Sequence, residues 1–113
     1  MNSEATPSGQ HGPQALEPKV VEALRGVYDP EIPVNIYDLG LIYGLKISDA
    51  GQVDIEMTLT APGCPVAQTF PQTVENAVSE VEGVTDTHVE LVWDPPWTMD
   101  RMTEAAKLEL GML

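Results

Sequence analysis

The chain has 113 residues, with 18 Asp and Glu against 5 Lys and Arg and a single cysteine. That length makes one domain able to bury roughly two thirds of its unfolded surface, and a lone thiol excludes an intrachain disulfide and suits a reducing compartment. A formal net charge of −13 repels phosphate backbones and excludes nucleic acid, leaving a basic protein partner, metal cations or a merely solvated surface.

In chain order, residues 1–14 (MNSEATPSGQHGPQ) are nearly devoid of apolar side chains and lack the charged-then-apolar design of a signal peptide. A disordered tail is expected there, carrying His11, with the domain running over residues 15–113. Leu16, Val20, Leu24 and Val27 then recur at helical spacing, with Pro18 in the first turn. Asp29-Pro30 ends that helix, because a residue before proline is pushed out of the α region. DPEIPVNIYDLG follows as a loop with two prolines and the carboxylates Asp29, Glu31 and Asp38.

Two alternating runs come next, Leu41, Tyr43, Leu45, Ile47 and Val53, Ile55, Met57, Leu59, joined by SDAGQ as a hairpin. Asp54, Glu56, Thr58 and Thr60 fall on the opposite face of the second strand. LGLIYGL is the longest apolar stretch, far short of the roughly 20 residues of a membrane span. A soluble, cytoplasmic protein is expected. Phe70, Val74, Ala77, Val78 and Val81 form a second helical stripe closed by Gly83. In VTDTHVELVW, Val89, Leu91 and Trp93 share one side and His88, Glu90 and Val92 the other. A strand–helix–strand order implies a right-handed crossover with parallel strands. After DPPWT, a last helix over residues 101–110 is capped by Thr98 or Asp100 and stopped by Gly111. The prediction is an α+β fold: a two-layer α/β sandwich in the order α-β-β-α-β-α, with a three-stranded mixed sheet and helices on one face.

The lone cysteine, Cys64, stands in TAPGCPVAQTF between the second strand and the second helix. If that helix begins at Pro65, Cys64 is its N-cap, and free N–H groups and the helix dipole favour the thiolate that a nucleophile or soft-metal ligand needs. Pro71 would then kink the helix. The plainer alternative is a small buried hydrophobe. The predicted topology also brings three loops to one sheet edge, DPEIPVNIYDLG, TAPGCP and WDPPW. That gathers Asp29, Glu31, Asp38, Thr58, Thr60, Trp93, Asp94 and Trp97 around Cys64, where ligand sites of α/β layers often lie. Each has a structural alternative: Asp38 as a turn cap, Glu31 as a solvated carboxylate, Trp93 and Trp97 packing as core and lid. No GxxxxGK[ST], CxxC or HExxH occurs, so neither a phosphate cradle nor a self-contained zinc site is expected. His88 lies mid-strand, which argues against a Cys–His hydrolase.

DPEIPVNIYDLGLIYGLKI, MTLTAPGCP and WDPPWTMDRM, in that order over residues 20–111, resemble the SufT-like iron–sulfur assembly domain shared with the eukaryotic MIP-type assembly proteins. The resemblance implies a non-enzymatic accessory factor in iron–sulfur cluster assembly or transfer, working with SUF-type assembly proteins and iron–sulfur client proteins. It places the family's cysteine at Cys64, its acidic loop at Asp29, Glu31 and Asp38, and its threonine strand at Thr58 and Thr60. The cysteine-rich extension of PaaD-like relatives and the P-loop of Mrp-type scaffold ATPases are missing, so the free-standing form is expected. A cluster normally takes four protein ligands and this chain has one thiol. Iron or an iron–sulfur cluster is therefore expected only transiently, through a homodimer, a small thiol, or a site shared with a client or scaffold. The competing readings are an interaction adaptor in which Cys64 only packs, and a thiol redox enzyme or sensor.

Overall fold

A computed structural model describes residues 13–60 and 69–112 of the chain. The elements run α1 (Pro13–Leu24), β1 (Ile42–Ile47), β2 (Gln52–Met57), α2 (Phe70–Ser79), β3 (Asp86–Leu91), a 3-10 turn (Met99–Arg101) and α3 (Glu104–Glu109). The sheet order is β1-β2-β3, with β1 antiparallel and β3 parallel to the central β2. This is the predicted α+β architecture, element for element.

The helices cover the sheet face that carries Val53, Ile55 and Met57, all at most 1% exposed. Leu16, Val20 and Leu24 of α1 are fully buried against it, as are Val74 and Val78 of α2. Each such side chain contributes about 1.5–3 kcal/mol by leaving water. The opposite face is bare: Lys46, Asp54, Glu56, His88 and Glu90 are all exposed there. β3 is fastened along its outer margin by α2, whose Glu75 carboxylate accepts the Val89 N–H at 3.2 Å.

Several boundaries differ from the sequence expectations. α1 begins at Pro13, inside the stretch expected as tail, so Pro18 sits beyond its first turn. It ends at Leu24 rather than at Asp29-Pro30, its exit marked by the Gly26 N–H bonding to the Ala23 carbonyl at 3.0 Å. α2 begins at Phe70 with Thr69 as its N-cap; Cys64, expected as the cap of a helix beginning at Pro65, lies outside the described residues. Pro71 lies in the first turn, where its missing N–H costs no internal bond, and no kink is called for. The helix closes at Glu80, before Gly83.

In β1 the alternation slips. The register shifts between Ile42 and Gly44, so Ile42 faces Met57 and Tyr43 is the extra residue of a bulge. At the other end of the chain, no single helix fills residues 101–110. Thr98 precedes the 3-10 turn, Met102 turns extended and buries its side chain, and Thr103 caps α3 by accepting the Ala106 N–H at 3.2 Å. No helix among the described residues is long and apolar enough to cross a membrane. Residues 1–12, with His11, and residues 61–68, with Cys64, lie outside the described residues.

Candidate functional site

The chain leaves β2 through Thr58, Leu59 and Thr60, at the end of the sheet where β3 also finishes. The Thr58 N–H bonds the Leu41 carbonyl at 2.9 Å and the Val92 N–H bonds the Met57 carbonyl at 2.8 Å, so all three strands are tied together there. Beyond β3, the segment Trp93–Trp97 folds back across this end. Its Asp94–Pro95 peptide is cis. Two hydrogen bonds hold it down: the Trp97 indole N–H donates to the Leu39 carbonyl at 2.7 Å, and the Tyr43 hydroxyl donates to the Pro95 carbonyl at 2.8 Å.

Gly40 makes this closure possible. Its φ is +82°, and a Cβ there would stand 2.2 Å from the Arg101 carbonyl oxygen, so only glycine lets the 3-10 turn approach. The Thr103 N–H then reaches the Asp38 carbonyl at 2.9 Å. The Arg101 guanidinium lies over the Tyr43 ring, 4.5 Å from its centroid.

Beneath the folded-back segment is a cavity of about 140 Å³ lined by Thr58, Leu59, Thr60, Trp93, Pro96 and Trp97. Thr58 is 1% exposed, and its hydroxyl finds no hydrogen-bond partner among the described residues. Leaving a buried hydroxyl unpaired costs about 1–3 kcal/mol. Alternation along β2 puts Thr58 on the same face as Asp54 and Glu56, which are exposed, whereas Thr58 is buried and lines the cavity with the tryptophan segment. Trp93 is 42% exposed and belongs to the rim rather than to the core. Its expected partnership with Leu91 on one strand face fails because β3 ends at Leu91.

The acidic loop is built differently. Asp29 is buried, and one of its carboxylate oxygens accepts the N–H groups of Glu31 and Ile32, both at 2.8 Å. Asn35 and Asp38 bond each other reciprocally: the Asn35 amide donates to the Asp38 carboxylate at 2.9 Å, and the Asp38 N–H donates to the Asn35 side-chain oxygen at 2.8 Å. Arg25 approaches the other Asp38 oxygen at 3.7 Å while lying over the Tyr37 ring. Asp29 and Asp38 thus hold the loop in shape. Glu31 and Asp94 are exposed.

The structure brings Thr58, Thr60, Trp93 and Trp97 together around one cavity, with Asp38 joined through its backbone, while Cys64, around which they were expected, lies outside the described residues. No group of three or more His, Cys, Asp or Glu that could hold a metal occurs among the described residues. His88 stands mid-strand opposite Asp54, on the bare face of the sheet. Residues that sequence reasoning missed are Tyr43, Gly40, Arg101 and the Leu39 carbonyl. All act through the bulge and the folded-back segment, which no local pattern announces. Asn35 did leave a signal, since N-x-x-D in a loop is a self-bonding pair.

Comparison with known proteins converges on one family. Residues 17–91 match the family described as iron–sulfur cluster assembly protein. The chain is 50% identical over 97 residues to an Fe-S protein maturation auxiliary factor of Porphyromonas gingivalis, covering 86% of this chain and 92% of that one. It is 42% identical over 99 residues to the Fe-S protein maturation auxiliary factor YitW of Bacillus subtilis, covering 88% and 97%. Among solved structures, it resembles a domain of unknown function from Bacillus anthracis with TM-score 0.80 and 38% identity, covering 88% of this chain and 95% of that one. A conserved hypothetical protein from Thermotoga maritima gives 0.71 and 34%, covering 98% and 99%.

Proposed function

This chain belongs to the iron–sulfur cluster assembly protein family, and from that premise we propose that it is a non-catalytic accessory factor in assembling iron–sulfur clusters or passing them to client proteins. Cys64 is the proposed contact, its thiolate making one transient bond to the cargo. The observation that supports this placement is the Thr58 hydroxyl, buried and without a partner among the described residues at the strand end that leads, six residues on, to the chain's only thiol.

The ligand arithmetic favours a carrier over a store. A cluster usually takes four protein ligands, mostly thiolates. This chain supplies one, so the cargo completes its coordination with ligands from a second copy, a small thiol, or the client or scaffold. A single protein bond is readily exchanged, which suits handover. SUF-type assembly proteins and cluster-containing clients are the proposed partners; relatives bear the names Fe-S protein maturation auxiliary factor SufT and iron-sulfur cluster carrier protein. Carboxylates of the acidic loop are hard oxygen donors, poorly suited to iron–sulfur chemistry, and Asp29 and Asp38 are already engaged. Their proposed part is to hold the loop beside the site.

The test replaces Cys64 by Ser, confirms folding by circular dichroism, and measures maturation of a cluster enzyme in cells lacking the native gene. Lost maturation with an intact fold is expected. Full rescue by Cys64→Ser would overturn the thiolate role and leave a docking adaptor.

A further inference from the structure

We infer that the cavity between Trp93 and Trp97 receives one arginine side chain of a partner protein, an inference that rests on reading this strand end as the working site. At about 140 Å³ the cavity is smaller than the roughly 300–1,000 Å³ of small-molecule sites and has room for a single side chain. Its walls offer two indoles and a proline, and Thr58 and Thr60 supply hydroxyls. An aliphatic occupant would leave the Thr58 hydroxyl as unpaired as it is now. The occupant therefore carries a polar head on an apolar or planar body.

Three observations select a guanidinium. First, both indoles line the cavity, the Trp97 N–H is already given to the Leu39 carbonyl, and an indole ring attracts cations over its face. Second, the same fold twice covers a ring with arginine: Arg25 over Tyr37 at 5.0 Å and Arg101 over Tyr43 at 4.5 Å. Neither tryptophan has such a cation among the described residues. All five basic residues of the chain, Lys19, Arg25, Lys46, Arg101 and Lys107, lie within the described part, so a cation over the tryptophans comes from another molecule. Third, the net charge of −13 draws basic segments toward the surface at long range. Arginine suits the cavity better than lysine: its plane stacks on indole, its hydration is weaker, and its N–H groups can donate to the Thr58 oxygen.

The test titrates the full-length protein with N-acetyl-arginine methylamide and follows the two indole N–H resonances by NMR. The lysine, citrulline and norleucine analogues serve as comparisons. Arginine is expected to give saturable shifts, several-fold tighter than lysine, with no saturation by citrulline, which keeps the shape and loses the charge. Trp93→Ala, a change at the exposed rim, should abolish the response, Trp93→Phe should retain part of it, and Thr58→Val should weaken it several-fold. Equal binding of citrulline or norleucine, or unchanged binding by Trp93→Ala, would overturn the inference. Cys64→Ser should bind arginine as the parent does. Lost maturation in that variant without arginine binding in the parent would remove this inference and leave the proposed function standing. Arginine binding together with full maturation by Cys64→Ser would do the reverse.

Discussion

The two loops that meet at the end of the sheet treat their polar groups in opposite ways. In the acidic loop, Asp29 accepts two backbone N–H groups, and Asp38 is bonded to Asn35 and approached by Arg25. At the β2 end, the Thr58 hydroxyl is more deeply buried than either carboxylate and bonds nothing among the described residues. Folding accounts for the first pattern, because each bond satisfies a group that the loop would otherwise strand. It does not account for the second, which costs stability. The contrast separates carboxylates that shape the loop from a hydroxyl that no bond among the described residues explains.

The sharpest way to break this division is at the junction of the two loops. Gly40→Ala places a Cβ against the Arg101 carbonyl at a φ of +82°. It should destabilise the fold by about 2–5 kcal/mol, measured by urea denaturation, and loosen the tryptophan segment. Next comes Asp29→Ala, which strands the Glu31 and Ile32 N–H groups. A loss of about 2–3 kcal/mol is expected, with Asp29→Asn recovering part of it because an amide oxygen still accepts. If Asp29→Ala left stability unchanged, the acidic loop would not be the shaping element described here. The smallest effect belongs to Arg25→Ala. Arg25 is half-exposed and 3.7 Å from Asp38, a pair worth below about 1 kcal/mol. Its loss should shrink further as salt is raised.

Much of this division could be read before any coordinates. The helix–strand–strand–helix–strand–helix order followed from strict periodicity, since Val53, Ile55 and Met57 can bury together only as a strand and Phe70, Val74 and Val78 only as a helix. Parallel pairing of β2 with β3 brought the threonines and tryptophans to one edge, as the crossover requires. Three things were not legible. The bulge at Tyr43 depends on register with Met57, a fact of pairing rather than composition. The pattern points to Thr98 or Asp100 as the cap of the last helix, yet Thr103 caps α3, after Met102 has turned into the core. That the Thr58 hydroxyl is buried without a partner among the described residues is not legible either, because alternation gives a face and not what later folds over it. Proline is welcome at the start of any helix, and it is Pro71 that stands in the first turn of α2, while Pro65 and Cys64 lie outside the described residues.

The most direct measurement concerns Thr58 itself. Thr58→Val keeps the volume and removes only the unpartnered hydroxyl, so the variant should be as stable as the parent, or more stable by about 1 kcal/mol, in urea denaturation. Maturation of a cluster enzyme in cells that depend on that variant should nevertheless fall. A variant that unfolds more easily, or one that supports full maturation, would contradict the claim that this hydroxyl is kept free for a bound species.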